Sequence, residues 1–453
     1  MQRQDLGPPR GIIIGIRGLN KSFFILMCAL LAGCQAYHAE PLSDAPNFGA
    51  AEKTSVPAGP LSLTAVAGLA VSNNPDLVAS RAKADVARAQ AFAAGLLPDP
   101  QFDGSVDYPS DPGTVSAYAL GISEDLQQLL TFPSRRTAAQ AATDQARLSL
   151  LWDEWQTIEM AGTLGVQKFY GDAKARQLGQ AAALLQDQAA HSDQALATGN
   201  ATIDAAGGDL AVALDAASQS NQAERAALTA DIGLKKLLNV APDNTLLLSD
   251  PGDPGNFSRQ DVSAALANIT RTRPDLLALQ AGYKAQEEAV RQSILEQFPA
   301  VTFGYNRAAD TTPIHTTGLS VAVSLPLFNG ARGNIRIQHA TRDQLHAEYQ
   351  ARLDQTTDDA WRLWQEIQLL RDELGKLEEK LPEFRRMAEV GQQARANGDL
   401  PPATFVVIET SLQARESDYY DVETALWSDT IALHTLLGLP FSPPPTEPPP
   451  DEP

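Results

Sequence analysis

The chain has 453 residues, only 6% of them aromatic, and a formal net charge of −20. Residues 1–33 contain four bases and one acid, so the rest of the chain carries −23, which disfavours nucleic acid as a partner. No stretch reaches the roughly 18 apolar residues of a membrane-spanning helix, so a helical membrane protein is excluded. Both cysteines, Cys28 and Cys34, precede residue 35, so the rest of the chain has no disulfide and no thiolate metal site.

Residues 1–33 are predicted to be an export signal, because basic residues precede an apolar run that ends in small residues. The run closes with Leu-Ala-Gly-Cys at 31–34, which resembles the bacterial lipobox and predicts that Cys34 is lipidated. An ordinary cleaved signal with an incidental cysteine is the alternative. Gln35 stands where an aspartate would resemble an inner-membrane retention signal, so we expect the outer membrane. Residues 34–60 are predicted to be a linker.

The remaining sequence contains two copies of one long unit, predicted at 61–240 and 261–440. Four landmarks recur in register at offsets of 199, 201, 199 and 199 residues, which is hard to obtain by chance. The paired landmarks are Asn74-Pro75-Asp76-Leu77 with Arg273-Pro274-Asp275-Leu276, Pro98 with Pro299, Thr198-Gly199-Asn200 with Asn397-Gly398-Asp399, and Leu237-Leu238 with Leu436-Leu437. A linker rich in proline and glycine at 241–260 separates the copies, and a proline-rich tail at 441–453 is predicted to be disordered.

Each copy is predicted to run helix, β-hairpin, long helix, tight turn and returning helix, giving a mostly α fold with a small β part. Helical spacing covers 61–97 and 262–297. Period-two alternation then predicts strands at about 101–108, 114–125, 300–308 and 316–325. The stretches 135–197 and 334–396 predict helices of about 95 Å. We expect the shorter helices to stack end to end beside these long ones.

The four strands alternate large apolar residues with small or polar ones, and each is long enough to cross a bilayer at a tilt. An open sheet in lipid would leave N–H and C=O groups unpaired at its edges. Small barrels close with about eight strands, so the missing strands must come from other chains. Three copies would supply twelve strands around a polar lumen and twelve helical rods continuing it.

The order of elements, which occurs twice after the lipobox, resembles that of the TolC family of outer-membrane efflux channels over about residues 60–440. The local marks are Asn74 to Leu77, Arg273 to Leu276, the hairpin exit Leu325 to Gly330, and the two glycine turns. The resemblance implies a homotrimer with a twelve-stranded transmembrane β-barrel and a periplasmic α-helical barrel. It also implies lipid anchoring in the outer membrane of a Gram-negative bacterium, a periplasmic membrane-fusion adaptor and an inner-membrane pump. Residues 324–333 are similar to the branch that exports heavy-metal cations, so both drugs and such cations stay open as substrates.

Two sets of site residues follow from this resemblance. The turns would be tube tips where the adaptor docks. The tip residues are Thr198, Gly199, Asn200, Asn397, Gly398 and Asp399. Carboxylates just past the tips, Asp204, Asp209 and Glu409, would form acidic rings in the lumen by threefold symmetry. Plain helix-hairpin turns and solvated surface acids are the alternatives.

No constellation in the sequence indicates catalysis, a cofactor or a metal site. His339 and His346 lie seven residues apart on one face of a predicted helix, and we interpret them as solvent-exposed polar residues rather than metal ligands. A non-transporting periplasmic coiled-coil lipoprotein scaffold and a type I secretion exit duct are the alternative functions. The alternating strands favour a channel, because a scaffold would not need them.

Overall fold

The computed structural model describes residues 37–44, 59–312 and 314–439. Its contacts divide the chain into two units, Met1–Asn47 and Phe48–Pro453. In the first unit, residues 37–44 are exposed and carry no helix or strand. Cys34, the predicted signal peptide and the tail at 441–453 lie outside the described residues.

The described part of the second unit contains eight helices and four strands. The helices are α1 (Leu63–Asn73), α2 (Pro75–Ala94), α3 (Leu126–Ala197), α4 (Ile203–Leu237), α5 (Arg259–Thr272), α6 (Pro274–Leu295), α7 (Arg332–Ala396) and α8 (Pro402–Leu436). The strands are β1 (Gln101–Asp107), β2 (Ala117–Asp125), β3 (Ala300–Ala309) and β4 (His315–Ser324). The order of two helices, two strands, a long helix and a 35-residue helix therefore occurs twice along the chain.

The helical stretch predicted at 61–97 is two helices, because it is interrupted at Asn74 and Pro75. Pro75 has no N–H to donate and restricts the residue before it to extended backbone, which Asn74 adopts with ψ 123°. Asn74 accepts from the Leu77 N–H at 3.0 Å and so caps α2. In the second copy, Arg273 and Pro274 make the equivalent break between α5 and α6.

The first long helix begins nine residues before its predicted start at Arg135. Asp125 caps it by accepting from the Gln127 N–H at 2.8 Å, and Pro133 is accommodated inside it. With 72 and 65 residues, α3 and α7 are about 110 Å and 100 Å long.

The shorter helices meet end to end, as the lengths predicted. The Asn74 side chain at the start of α2 donates to the carbonyl of Leu237, the last residue of α4, at 3.2 Å. The Arg273 side chain before α6 donates to the carbonyl of Leu436, the last residue of α8, at 3.4 Å. The α4 and α2 pair packs along α3, and the α8 and α6 pair packs along α7.

The four strands form one antiparallel sheet in the order β1-β2-β3-β4. β2 begins at Ala117 rather than at Thr114, because Thr114 and Val115 donate to the loop carbonyls of Asp111 and Thr311 instead of joining the ladder. In the first copy, Val66 of α1 and Leu234 and Leu238 at the end of α4 form a buried cluster with the linker residue Leu246. Among the described helices, none is both long enough and apolar enough to cross a bilayer.

Candidate functional site

The sheet has one apolar and one polar face, because the pairing register places like residues opposite each other. Phe102 pairs with Ile122, which in turn pairs with Tyr305 and through it with Leu319. These side chains are exposed in the single chain, Phe102 and Leu319 at 71% each. A large exposed apolar surface of this kind marks a contact with lipid or another chain.

The opposite face carries small and polar residues in rows across all four strands. One row is Asp103, Gly121, Asn306 and Gly318. A Cβ at Gly304, in the next row, would stand 2.6 Å from the Ser320 hydroxyl, so no larger residue fits there without displacing its neighbours. The lining of a concave space of about 370 Å³ includes Asp103, Gly121, Asn306 and Ser320. This face suits water and polar solutes.

The two helix-hairpin turns have the same backbone design. Gly199 and Gly398 adopt φ 76° and 79°, a region that glycine enters without strain. The residue after each glycine donates back into the helix, Asn200 to the Ala195 carbonyl and Asp399 to the Ala394 carbonyl, both at 2.8 Å. This is the Schellman motif, which ends a helix in a compact reversal. All six predicted tip residues are exposed.

The two tips lie beside one groove of about 840 Å³, whose lining includes Asn200 and Gly398. The guanidinium of Arg395 on α7 bridges to Asp187 on α3 at 3.1 Å. The same guanidinium lies 4.5 Å from the ring centre of Phe405, which is completely buried. The hairpins of the two copies are therefore held side by side near their turns.

The three predicted acidic residues lie in three different environments. Asp204 is exposed. Asp209 accepts from Ser192 and from Gln188 across the first hairpin. Glu409 is only 3% exposed and accepts from Gln392 across the second hairpin at 2.9 Å.

Burial raises the pKa of Glu409 above its ordinary value, against the opposing hydrogen bond from Gln392 and the charge of Arg395. Of the three predicted acidic residues, Asp204 is the one that is exposed. No group of three His, Cys, Asp or Glu side chains within 37–44, 59–312 and 314–439 is arranged to hold a metal ion.

Sequence reasoning missed a series of polar contacts between α3 and α8. The Lys174 ammonium lies 2.6 Å from the Asp421 carboxylate. Gln177 donates to Glu416 at 3.3 Å, and the same carboxylate pairs with Arg385 at 3.0 Å. The sequence shows that these residues are polar or charged and lie on helices, but many other residues share these properties, so the partners could not be identified.

An apolar contact adjoins this polar series. Trp427 and Ile431 of α8 form a buried cluster with Val166 and Tyr170 of α3. The Tyr170 hydroxyl lies 3.4 Å from Glu423. Burial raises the pKa of Glu423, although hydrogen bonds from Tyr419 and Tyr170 act in the opposite direction. The contact between α3 and α8 is therefore apolar near the linker and ionic toward the tips.

Residues 263–439 match the sequence profile of the family described as outer membrane efflux protein. No curated sequence matches the chain. The match lies in the second copy and includes Arg273, the second glycine turn and the whole of α7 and α8.

Solved outer-membrane proteins share the fold of the chain. The CmeC outer membrane channel of Campylobacter jejuni has a TM-score of 0.68 at 13% identity, covering 89% of this chain and 94% of its own. The open state of the Neisseria gonorrhoeae MtrE outer membrane channel has a TM-score of 0.67 at 15% identity, covering 89% and 97%. VceC of Vibrio cholerae has a TM-score of 0.65 at 16% identity, covering 84% and 97%.

Proposed function

Because residues 263–439 carry the pattern of the outer membrane efflux protein family and the chain has the fold of TolC-type channels, we propose that it is the outer-membrane channel subunit of a tripartite efflux system. It conducts substrates passively from an inner-membrane pump and a periplasmic adaptor to the outside. Drugs, other small molecules and heavy-metal cations are its candidate substrates. The observation that carries this proposal is the four-stranded sheet with one apolar and one polar face.

The edges of this sheet argue for assembly. Within the described residues, β1 and β4 each pair on one side only. Lipid makes unpaired strand edges costly, at several kcal/mol for each unsatisfied group, so a membrane-inserted sheet must be completed by neighbours. Three protomers give the twelve-stranded barrel of the proposed trimer.

A comparison of equivalent helix residues in the two copies supports the same assembly. Residues 199 positions before Trp427 and Ile431 are Leu228 and Ile232 on α4. Trp427 and Ile431 are buried against α3 of their own chain, whereas Leu228 and Ile232 are 58% and 55% exposed. A like partner for α4 is therefore missing within one chain.

The residue equivalent to the one that covers Trp427 lies on α7. Tyr170 of α3, which covers Trp427, corresponds to Leu369 of α7, and Leu369 is 70% exposed. We propose that Leu369 of one protomer packs on Leu228 and Ile232 of the next. Such a head-to-tail contact closes into a ring when the rotation permits it.

The tips and the amino terminus have proposed roles within this assembly. The tip residues around Gly199 and Gly398 are proposed to dock the adaptor, and Asp204 is proposed to line the lumen, with Asp209 and Glu409 behind it. Cys34 is proposed to carry the lipid anchor. Replacement of Cys34 by alanine is expected to abolish acyl labelling, and persistent labelling would place the mature start elsewhere.

The test of the channel proposal combines reconstitution with cross-linking. We expect the purified protein to be trimeric by native mass spectrometry and to conduct ions across planar bilayers. Leu228→Cys combined with Leu369→Cys should give dimers and trimers with a short bismaleimide, while either single variant should not, because the contact is head-to-tail. A salt-released monomer without conductance would instead indicate a periplasmic scaffold.

A further inference from the structure

Two basic segments without acids follow the sheet at its helical end. After Asp125 the next acidic residue is Asp144, and after Ser324 it is Asp343. The first segment contains Arg135 and Arg136, and the second contains Arg332, Arg336 and Arg342. In a chain of net charge −20, this is a local reversal of charge, and it occurs in both copies at the same level.

Four of these arginines have no carboxylate within ion-pair distance among the described residues. We call Arg135, Arg136, Arg332 and Arg336 the arginine collar. Three of them, Arg136, Arg332 and Arg336, are exposed. The Nε of Arg135 has no hydrogen-bond partner among the described residues, and its guanidinium carbon lies 5.7 Å from the Phe132 ring centre.

Two acids that adjoin the collar segments have other partners. Asp125 accepts from the Gln127 N–H. Glu296 at the end of α6 accepts from Gln292 at 2.9 Å and from Asn334 at 3.3 Å. Arg342, the arginine next to the first acidic residue after β4, does form an ion pair, at 3.4 Å from Asp343.

Large apolar side chains separate the collar from the sheet. Phe328 is 99% exposed and stands four residues before Arg332. On α3, Leu130 is 53% exposed and precedes Arg136 by six residues, or about 9 Å along the helix. Other exposed apolar residues at this level are Leu97, Leu126, Phe298, Leu325 and Leu327. In both copies exposed apolar residues precede the arginines along the chain, and on α7 Ile337, 62% exposed, also follows Arg336.

We propose that the arginine collar binds the phosphate groups of anionic phospholipids in the leaflet next to the helical part. This inference rests on the proposed outer-membrane function, which puts the apolar face of the sheet in lipid. The apolar residues then reach the acyl chains, and guanidinium groups slightly farther along meet the phosphates. Guanidinium suits this task because it stays charged and presents paired donors to phosphate oxygens. Juxtamembrane basic clusters attract anionic lipid in the same way.

The test measures lipid retained by the purified full-length oligomer. The protein is offered equal amounts of phosphatidylglycerol and phosphatidylcholine in detergent, and bound lipids are counted by native mass spectrometry. The test variant combines Arg136→Gln, Arg332→Gln and Arg336→Gln. The control combines Arg147→Gln, Arg271→Gln and Lys284→Gln, which removes the same charge from exposed positions elsewhere. A second variant replaces the three collar arginines by lysine.

We expect the wild type to prefer phosphatidylglycerol and the test variant to lose that preference by about tenfold. The control should keep the preference, and the lysine variant should keep part of it. Equal preference in the wild type and the test variant, or an equal loss in the control, would overturn the proposal. Oligomeric state and conductance are measured on the same samples. An oligomeric, conducting protein without lipid preference would refute the collar alone, whereas a wild type that neither assembles nor conducts would refute the channel.

Discussion

The two places where short helices meet end to end use different chemistry for the same join. At the first junction, the neutral amide of Asn74 caps α2 and donates to the Leu237 carbonyl. At the second junction, Arg273 donates to the Leu436 carbonyl and forms a bidentate pair with Asp275, at 2.7 Å and 3.0 Å. Arg273 does not cap α6 with its side chain, and Asp275 in the first turn accepts from the Leu276 N–H.

The two junctions share one requirement, which is a side-chain donor for the last carbonyl of the neighbouring helix. Both side chains satisfy a carbonyl at the end of a 35-residue helix, which would otherwise lack a partner. The second junction adds a buried charge, because Arg273 is 2% exposed and lies 4.7 Å from the Trp152 ring centre. Buried charges tolerate the loss of a partner badly, so the junctions should respond unequally to mutation.

Arg273→Met should have the largest effect. It removes the main partner of Asp275, which is only 8% exposed, and leaves the Leu436 carbonyl unpaired. We expect a loss of about 3 to 5 kcal/mol in the free energy of unfolding. Denaturation of the detergent-solubilised protein, followed by circular dichroism, measures it. Arg271→Met, at an exposed position two residues away, is the control and should change little.

Removing both charges of the second junction should be milder than removing one. The double variant Arg273→Met with Asp275→Leu should recover about 1 to 3 kcal/mol relative to Arg273→Met, because no lone carboxylate stays buried. The same denaturation experiment completes the mutant cycle. Additive losses would mean that the pair does not act as a unit.

Asn74→Ala should have a moderate effect at the first junction. It removes the cap of α2 and the bond to the Leu237 carbonyl, but leaves no charge behind. We expect about 1 to 2 kcal/mol of destabilisation. A loss as large as that of Arg273→Met would contradict the distinction between the neutral and ionic junctions. Asn74→Asp keeps the cap acceptor and separates capping from the bond to Leu237.

Glu159, beside the second junction, should give the smallest effect, and this effect depends on pH. Burial raises the pKa of Glu159 above its ordinary value of 4.5, against a Thr435 hydrogen bond and the charge of Arg273. The folded protein thus holds a proton that the unfolded chain has released, so stability falls as pH rises from 4.5 through the raised pKa. Glu159→Gln should raise the melting temperature at pH 7 and leave it unchanged below pH 4. A melting temperature of Glu159→Gln below that of the wild type at pH 7 would contradict this prediction.

Local features of this fold, and from helix lengths the end-to-end stacking, could be predicted from the sequence, whereas individual contacts between distant side chains could not. The glycine turns and the strand alternation depend on neighbouring residues, so spacing reveals them. The break at Asn74 was missed although Pro75 marks it, because the apolar spacing continues across it. Besides Asp275, Arg273 donates to Thr356 and to the Leu436 carbonyl, 83 and 163 residues away, and Lys174 pairs with Asp421 across 247 residues. No spacing rule connects such positions, and the burial of Glu409 depends on the same kind of packing.

The edge strands β1 and β4, which pair on one side only within the described residues, affect how the protein would reach the membrane. In the proposed channel, a lone protomer would leave the outer edges of β1 and β4 unpaired in lipid, so we expect insertion and oligomerisation to be a single event. The arrival of finished pores would then depend steeply on the supply of newly exported chains.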